Sequence, residues 1–225
     1  MANSTPFRRP STDKQRPRLL FAAALVWFPG LALASEPIFS PADILNWETR
    51  AFEGETQYKS VEIDGRHAVH ASCDNSASGL YLKKTIDLER TPILEWSWRV
   101  DKTFTGIDET TRAGDDYPAR VYVVKDGGLL RWRTRAINYV WASEKPEGAD
   151  WPNAYASQAR MLAVRSGPPA ETGQWFSQRR NVREDFQRLH DRAVDSIDAI
   201  AIMTDCDDTE STIEAWYGEI RFVPE

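Results

Sequence analysis

The chain after residue 34 reads as short alternating runs broken by turn residues, with almost no sustained helical period. The alternation is strongest in Ile93 to Val100, where Leu94, Trp96, Trp98 and Val100 share one face and Glu95, Ser97 and Arg99 the other. That pattern predicts a strand with its Trp face in a core. Tyr58 to Ile63, Asp64-Gly65 and His67 to Ser72 predict a tight hairpin, because Asp-Gly tolerates the positive φ of a two-residue turn. A second hairpin turn is expected at Asp126-Gly127-Gly128. Further strands read as Leu80 to Ile86, Ala119 to Lys125, Leu129 to Trp141, Arg160 to Arg165, Ile197 to Thr204 and Ile213 to Phe222. Ala199 to Met203 is nearly continuous apolar, as in a strand near the centre of a sheet. One short amphipathic helix is expected at Arg183 to Arg192. Two loops are long, Asp101 to Pro118 and Ser143 to Ala159, and loops of that length are usually functional or mobile. The pattern is that of an all-β sandwich in a single domain over residues 35–225.

The N-terminus has a different grammar. Arg8, Arg9, Lys14, Arg16 and Arg18 precede an apolar run from Leu19 to Leu33 that ends in Ala32-Leu33-Ala34. This is the order of a secretion signal, with cleavage expected before Ser35. The run falls short of the roughly 20 residues a bilayer span needs and carries Pro29-Gly30. The expected residence is periplasmic or secreted, with no membrane insertion of the mature chain.

Residues 35–225 keep 23 Lys and Arg against 33 Asp and Glu, a net charge of −10. Nucleic acid binding needs a clustered cationic face, and this balance excludes it. An even pair of cysteines, Cys73 and Cys206, in an exported chain favours a disulfide.

Asp205-Cys206-Asp207-Asp208-Thr209-Glu210 is the densest set of oxygen ligands, which makes Asp205, Asp207 and Asp208 candidate Ca²⁺ ligands. The segment lacks the Gly and Glu of the helix-loop-helix calcium loop, and a solvated turn is the plainer alternative. Asp115 and Asp116 form a second acidic pair just before Arg120. Adjacent strand residues face opposite ways, so these two cannot act on one substrate as a catalytic pair, and a partner would come from Asp205 or Asp207. An ion pair from Asp116 to Arg120 or Arg180 is the structural alternative. Arg131, Arg133 and Arg135 are spaced as a ladder on one strand face, either a charged edge or a groove for an anionic polysaccharide. Trp141, Trp151, Tyr155 and Trp175 are candidate flat platforms for sugar rings, although aromatics in an all-β domain more often build the core. No nucleophile elbow or Gly-rich phosphate loop is present, and His67 and His70, three apart on a strand, face opposite sides.

Trp96-Ser97-Trp98, Gly114-Asp115-Asp116, Asn138-Tyr139-Val140-Trp141, Arg180-Asn181-Val182, Met203-Thr204-Asp205-x-Asp207-x-Thr209 and Tyr217-Gly218-Glu219-Ile220 together resemble a family of exported bacterial proteins known only as a domain of unknown function. Asn181 stands where that family's pattern favours Asp. The resemblance implies a jelly-roll-like β-sandwich of two antiparallel sheets, similar to carbohydrate-binding modules, and brings no activity with it. The leading expectation is a non-catalytic glycan-binding protein with Asp115, Asp116, Arg120, Tyr139, Trp141, Trp151 and Tyr155 at its ligand site and no cofactor beyond Ca²⁺. The alternatives are a carbohydrate-active enzyme pairing Asp116 with Asp205 or Asp207, and a purely structural envelope protein.

Overall fold

The computed structural model describes residues 1–2 and 36–225, so the expected export signal falls almost wholly outside the described residues. The elements are β1 (Ile38–Phe39), α1 (Pro41–Ile44), β2 (Glu48–Glu53), β3 (Gln57–Ile63), β4 (Arg66–Asp74), β5 (Ala77–Asp87), β6 (Ile93–Val100), β7 (Ala119–Lys125), β8 (Arg135–Ala142), β9 (Asp150–Pro152), β10 (Ala159–Ser166), β11 (Trp175–Asn181), α2 (Val182–His190), β12 (Ser196–Asp205) and β13 (Thr212–Val223). Two sheets face each other. One runs β11-β6-β13-β4-β3 with β1 also on β13, and the other runs β2-β5-β12-β7-β8-β10-β9. The apolar runs therefore form a β-sandwich, with β12 between β5 and β7 as its unbroken apolar sequence requires.

The β3–β4 turn is the two-residue kind expected, with Asp64 at φ 53° and Gly65 at φ 70° and Ile63 paired to Arg66. Leu94, Trp96, Trp98 and Val100 point into the core, where Trp98 packs on Trp96 and Trp141. The long helix is α2, capped by Asn181, whose side chain accepts the Glu184 N–H. A neutral Asn serves this cap as well as an Asp.

Two expectations need correction. The sheets are not both antiparallel: β8 and β10 pair in parallel, from Ala136 with Ala159 to Ala142 with Ser166. A parallel pair needs a crossover of a dozen or more residues, and the long loop after β8 supplies it. The one short helix expected is α2, and among the described residues Ser40 and Asp43 add a capping box that starts the single turn α1. The strand expected from Leu129 begins only at Arg135. Arg131–Arg133 form a 3₁₀ turn, so Arg131, Arg133 and Arg135 do not share a strand face.

Candidate functional site

β7 and β12 are neighbours, with Met203 opposite Arg120. Alternation sends Ala119, Val121 and Val123 into the core between the sheets, and so turns Arg120 to the sheet's other face. Residues 101–118 fold back over that face. Tyr117 packs there with Val140, Ala142, Trp151, Met161 and Ala163 in a second apolar cluster. This roof buries charge. Arg120 is 3% exposed, Asp205 2%, Asp115 4% and Asp116 0%.

The buried charges satisfy one another. Arg120 Nε donates to Asp205 Oδ1 at 2.9 Å, and a second guanidinium nitrogen pairs with the other Asp205 oxygen. Arg120 Nη2 donates to the Asp115 backbone carbonyl at 2.9 Å, and Nη1 lies 3.9 Å from the Asp115 carboxylate. The guanidinium also sits 4.4 Å from the centre of the Tyr117 ring. Asn153 Nδ2 donates to both Asp115 oxygens, at 2.7 and 3.0 Å, and the Tyr117 N–H donates to Asp205 at 3.1 Å. A buried ion pair is tolerable only when its remaining lone pairs are met in this way. Burial nevertheless pushes the Asp115 carboxyl above its ordinary range, with Arg120 opposing.

Asp116 does a different job. Its two oxygens accept the N–H groups of Asp208 at 3.3 Å and Thr209 at 2.7 Å, tying down the β12–β13 loop. The same loop is anchored by a disulfide between Cys73 and Cys206, with Cα atoms 6.2 Å apart. Carboxylate oxygens of Asp116, Asp207 and Asp208 then lie within 4.8 Å of one another. Burial, followed by repulsion within this trio, raises the proton affinity of Asp207 and Asp208. Carboxyls that hold protons more tightly folded than unfolded add stability below the ordinary carboxylate range and lose it as pH rises through their raised values. This acidic cluster is partly relieved: attraction to Arg120 opposes the rise at both groups, and the Tyr155 hydroxyl opposes it at Asp208. Beside it stands Tyr155, 54% exposed, whose hydroxyl donates to Asp208 and whose ring carries the Arg112 guanidinium 4.9 Å from its centre. The bond to Asp208 pushes the Tyr155 hydroxyl up to about 12.

Asp115, Asp116, Arg120, Asp205, Asp207, Asp208 and Tyr155 therefore come together, with corrections in detail. Asp205 is neutralised by Arg120, and Asp116 takes its place in the carboxylate trio. The Asp116 ion pair with Arg120 or Arg180 does not form: Asp116 holds backbone, and Arg180 pairs with Asp185. Tyr139, Trp141 and Trp151, expected at the ligand site, offer no surface to a ligand in this structure, because all three are buried. The Tyr139 hydroxyl donates to Asp185 at 3.0 Å, Trp141 Nε1 to the Gly167 carbonyl at 2.9 Å and Trp151 Nε1 to the Glu109 carbonyl at 2.9 Å. Sequence reasoning missed Glu109. It is fully buried and accepts the N–H groups of Ser143 at 2.6 Å, Glu144 at 3.2 Å and Lys145 at 2.7 Å, joining the two long loops. Only its place inside a long loop hinted at such a role.

The family described as "Protein of unknown function (DUF3047)" matches over residues 45–221. No curated protein sequence matches the chain. Among solved structures, the family 30 carbohydrate-binding module of a cellulosomal cellulase of Clostridium thermocellum is similar at 10% identity and a TM-score of 0.46, covering 81% of this chain and 92% of that one. The module TmCBM61, solved with beta-1,4-galactotriose, is similar at 10% identity and a TM-score of 0.38, covering 81% of this chain and 90% of that one. The glycoside hydrolase domain of Endo-D from Streptococcus pneumoniae R6 is similar at 8% identity and a TM-score of 0.40, covering 79% of this chain and only 21% of that one.

Proposed function

We propose, from the premise that this chain belongs to the DUF3047 family, that it is an exported, non-catalytic binding protein whose ligand is a glycan taken at the Tyr155 end of the acidic cluster. The observation that carries the reading is the pairing of an exposed, hydrogen-bonded Tyr155 with Asp116, Asp207 and Asp208, carboxylates that have no ion-pair partner within 4.0 Å among the described residues. A flat ring stacks on the apolar face of a sugar, and carboxylates accept hydrogen bonds from its hydroxyls. The enzymatic alternative draws less support. It needs Asp116 with Asp205 or Asp207, whereas Asp116 is occupied by two backbone N–H groups and Asp205 by Arg120. Export is part of the proposal and agrees with the disulfide, since such bonds persist in oxidising compartments.

The test is a glycan array followed by a reducing-sugar release assay on every hit. Binding without release is expected, and Tyr155→Ala should weaken it by about ten-fold or more while leaving the melting curve in place. Release of reducing sugar would replace the module by the enzyme. An array without hits, or a Tyr155→Ala protein that binds as before, would remove the glycan site.

We also propose that Asp116, Asp207 and Asp208 hold Ca²⁺, a hard cation that takes oxygen ligands and would relieve the mutual repulsion that adds to burial in raising Asp207 and Asp208. Calcium at a hundred times its dissociation constant should then add about 2.7 kcal/mol, a rise in melting temperature of several degrees. Asp207→Ala should abolish the rise. Melting indifferent to calcium and to chelator would dispose of the cation and leave the glycan reading to its own test.

A further inference from the structure

The turn between β7 and β8 is a built element. Gly127 leaves no room for a side chain: a Cβ there would lie 2.3 Å from the Leu130 carbonyl oxygen and 2.7 Å from the Thr134 nitrogen. The Gly127 N–H donates to Thr134 Oγ1 at 3.1 Å, and the Arg133 N–H donates to the Leu130 carbonyl at 2.7 Å. Arg135 Nη1 donates to the carbonyls of Trp132 and Thr134, each at 2.8 Å, and Arg192 Nη1 to that of Arg133 at 2.7 Å. This bonding holds two large apolar side chains in solvent, Leu129 fully exposed and Trp132 65% exposed.

The charge around them is mostly of one sign, since the two nearest acids are engaged locally: Asp126 accepts the Gly128 N–H at 3.0 Å and Asp191 accepts Gln187 Nε2 at 3.1 Å. Arg133, Arg135 and Arg192 line an open recess of about 390 Å³ with no acidic residue in its wall. Nearby Lys125, Arg183 and Arg188 each have a carboxylate partner in Asp198, Asp195 and Asp150. Arg131, Arg133, Arg135 and Arg192 have none among the described residues within the 4.0 Å of an ion pair. The acidic cluster begins five residues away along β7, at Arg120, a separation of roughly 17 Å at the usual rise per residue. That exceeds the Debye length of about 8 Å at physiological salt, so the acidic end does not cancel this field.

We infer that the β7–β8 tip docks this protein on an anionic lipid surface, with Leu129 and Trp132 entering the interfacial layer and Arg131, Arg133, Arg135 and Arg192 binding headgroup oxygens. An anionic polysaccharide would satisfy the guanidinium groups but offers Leu129 nothing. A lipid interface takes both, since Trp and Leu settle at the headgroup boundary while basic side chains engage phosphate. The overall negative charge of residues 35–225 is no obstacle, because attraction within a Debye length is decided by the patch that faces the surface.

Co-sedimentation of the full chain with vesicles at 0.15 M salt tests this. Vesicles of phosphatidylglycerol with phosphatidylcholine should carry the protein down and vesicles of phosphatidylcholine alone should not. Arg131→Glu with Arg133→Glu leaves every hydrogen bond of the tip in place and should weaken partitioning by at least about ten-fold. Leu129→Ser with Trp132→Ala should weaken it several-fold. Every variant keeps the Leu19 to Leu33 run, so these losses report the tip and not the N-terminus. Three results would overturn the inference: no sedimentation with anionic vesicles, variants that sediment like the parent, or retention on a heparin column without any vesicle binding.

Discussion

Arg120→Ala is expected to cost about 3 to 5 kcal/mol of folding stability, the usual penalty for stranding buried charge. Asp205 and Asp115 would stay beneath the roof of residues 101–118 without the cation they face. The loss should appear as a lower midpoint of urea unfolding with an unchanged slope. Its pH dependence gives the mechanism away. Without Arg120, both carboxyls hold protons more tightly folded than unfolded, so the deficit should shrink as pH falls through the carboxylate range. Arg120→Met with Asp205→Asn removes the cation and its closest carboxylate together, leaves Asp115 to its Asn153 hydrogen bonds, and should recover part of the stability, because buried pairs can be exchanged for uncharged groups at little net cost. A single-variant loss below about 1 kcal/mol would mean that the roof opens to water and that Arg120 is not its keystone.

Removing the disulfide should cost nearly as much. Cys73 and Cys206 are 133 residues apart, and closing a loop of that size constrains the unfolded chain by about 4 to 5 kcal/mol in the entropy model, although native strain often reduces the gain. Cys73→Ala with Cys206→Ala is the suitable variant, because the two half-cystines pack with Phe104 and Ile213 and a buried hydroxyl would add its own penalty. Reductant should move the unfolding midpoint of the parent towards that of the double variant and leave the variant where it is. Equal midpoints for the oxidised parent and the variant would refute the contribution. Since Cys206 lies between Asp205 and Asp207, the variant should also loosen the loop that carries the carboxylate trio.

The fold was legible wherever local pattern and tertiary role agreed. Ile93 to Val100 alternates because one face meets a core, and Asp64-Gly65 turns because both residues accept positive φ. The Arg131, Arg133 and Arg135 spacing misled, since alternation over five residues is too short to outweigh the Gly127-Gly128 signal just before it. In the site, the acidic residues and the cysteines stood out by type and count. Trp151 did not reveal its burial, because the Tyr117 that covers it comes from a loop 34 residues earlier in the sequence. Glu109 was hidden for the same reason: a lone Glu in a polar loop looks the same whether it faces water or staples three backbone N–H groups. The parallel β8–β10 pairing was foreshadowed only by the length of the connection.

The place of β13 has a consequence for how the chain is made. It pairs with β6, β4 and β1, all of which come at least about 110 residues earlier, and it lies between β6 and β4 in the middle of its sheet. A chain emerging from a ribosome or a translocation channel therefore carries the flanks of that sheet for most of its synthesis with no strand to join them. The opposite sheet has all its strands by Asp205 and can assemble first, while the edge of β6 that pairs with β13 waits for residues 212–223. Such a topology obliges late, long-range closure, and the apolar edge left waiting is the surface on which a nascent chain most needs a chaperone.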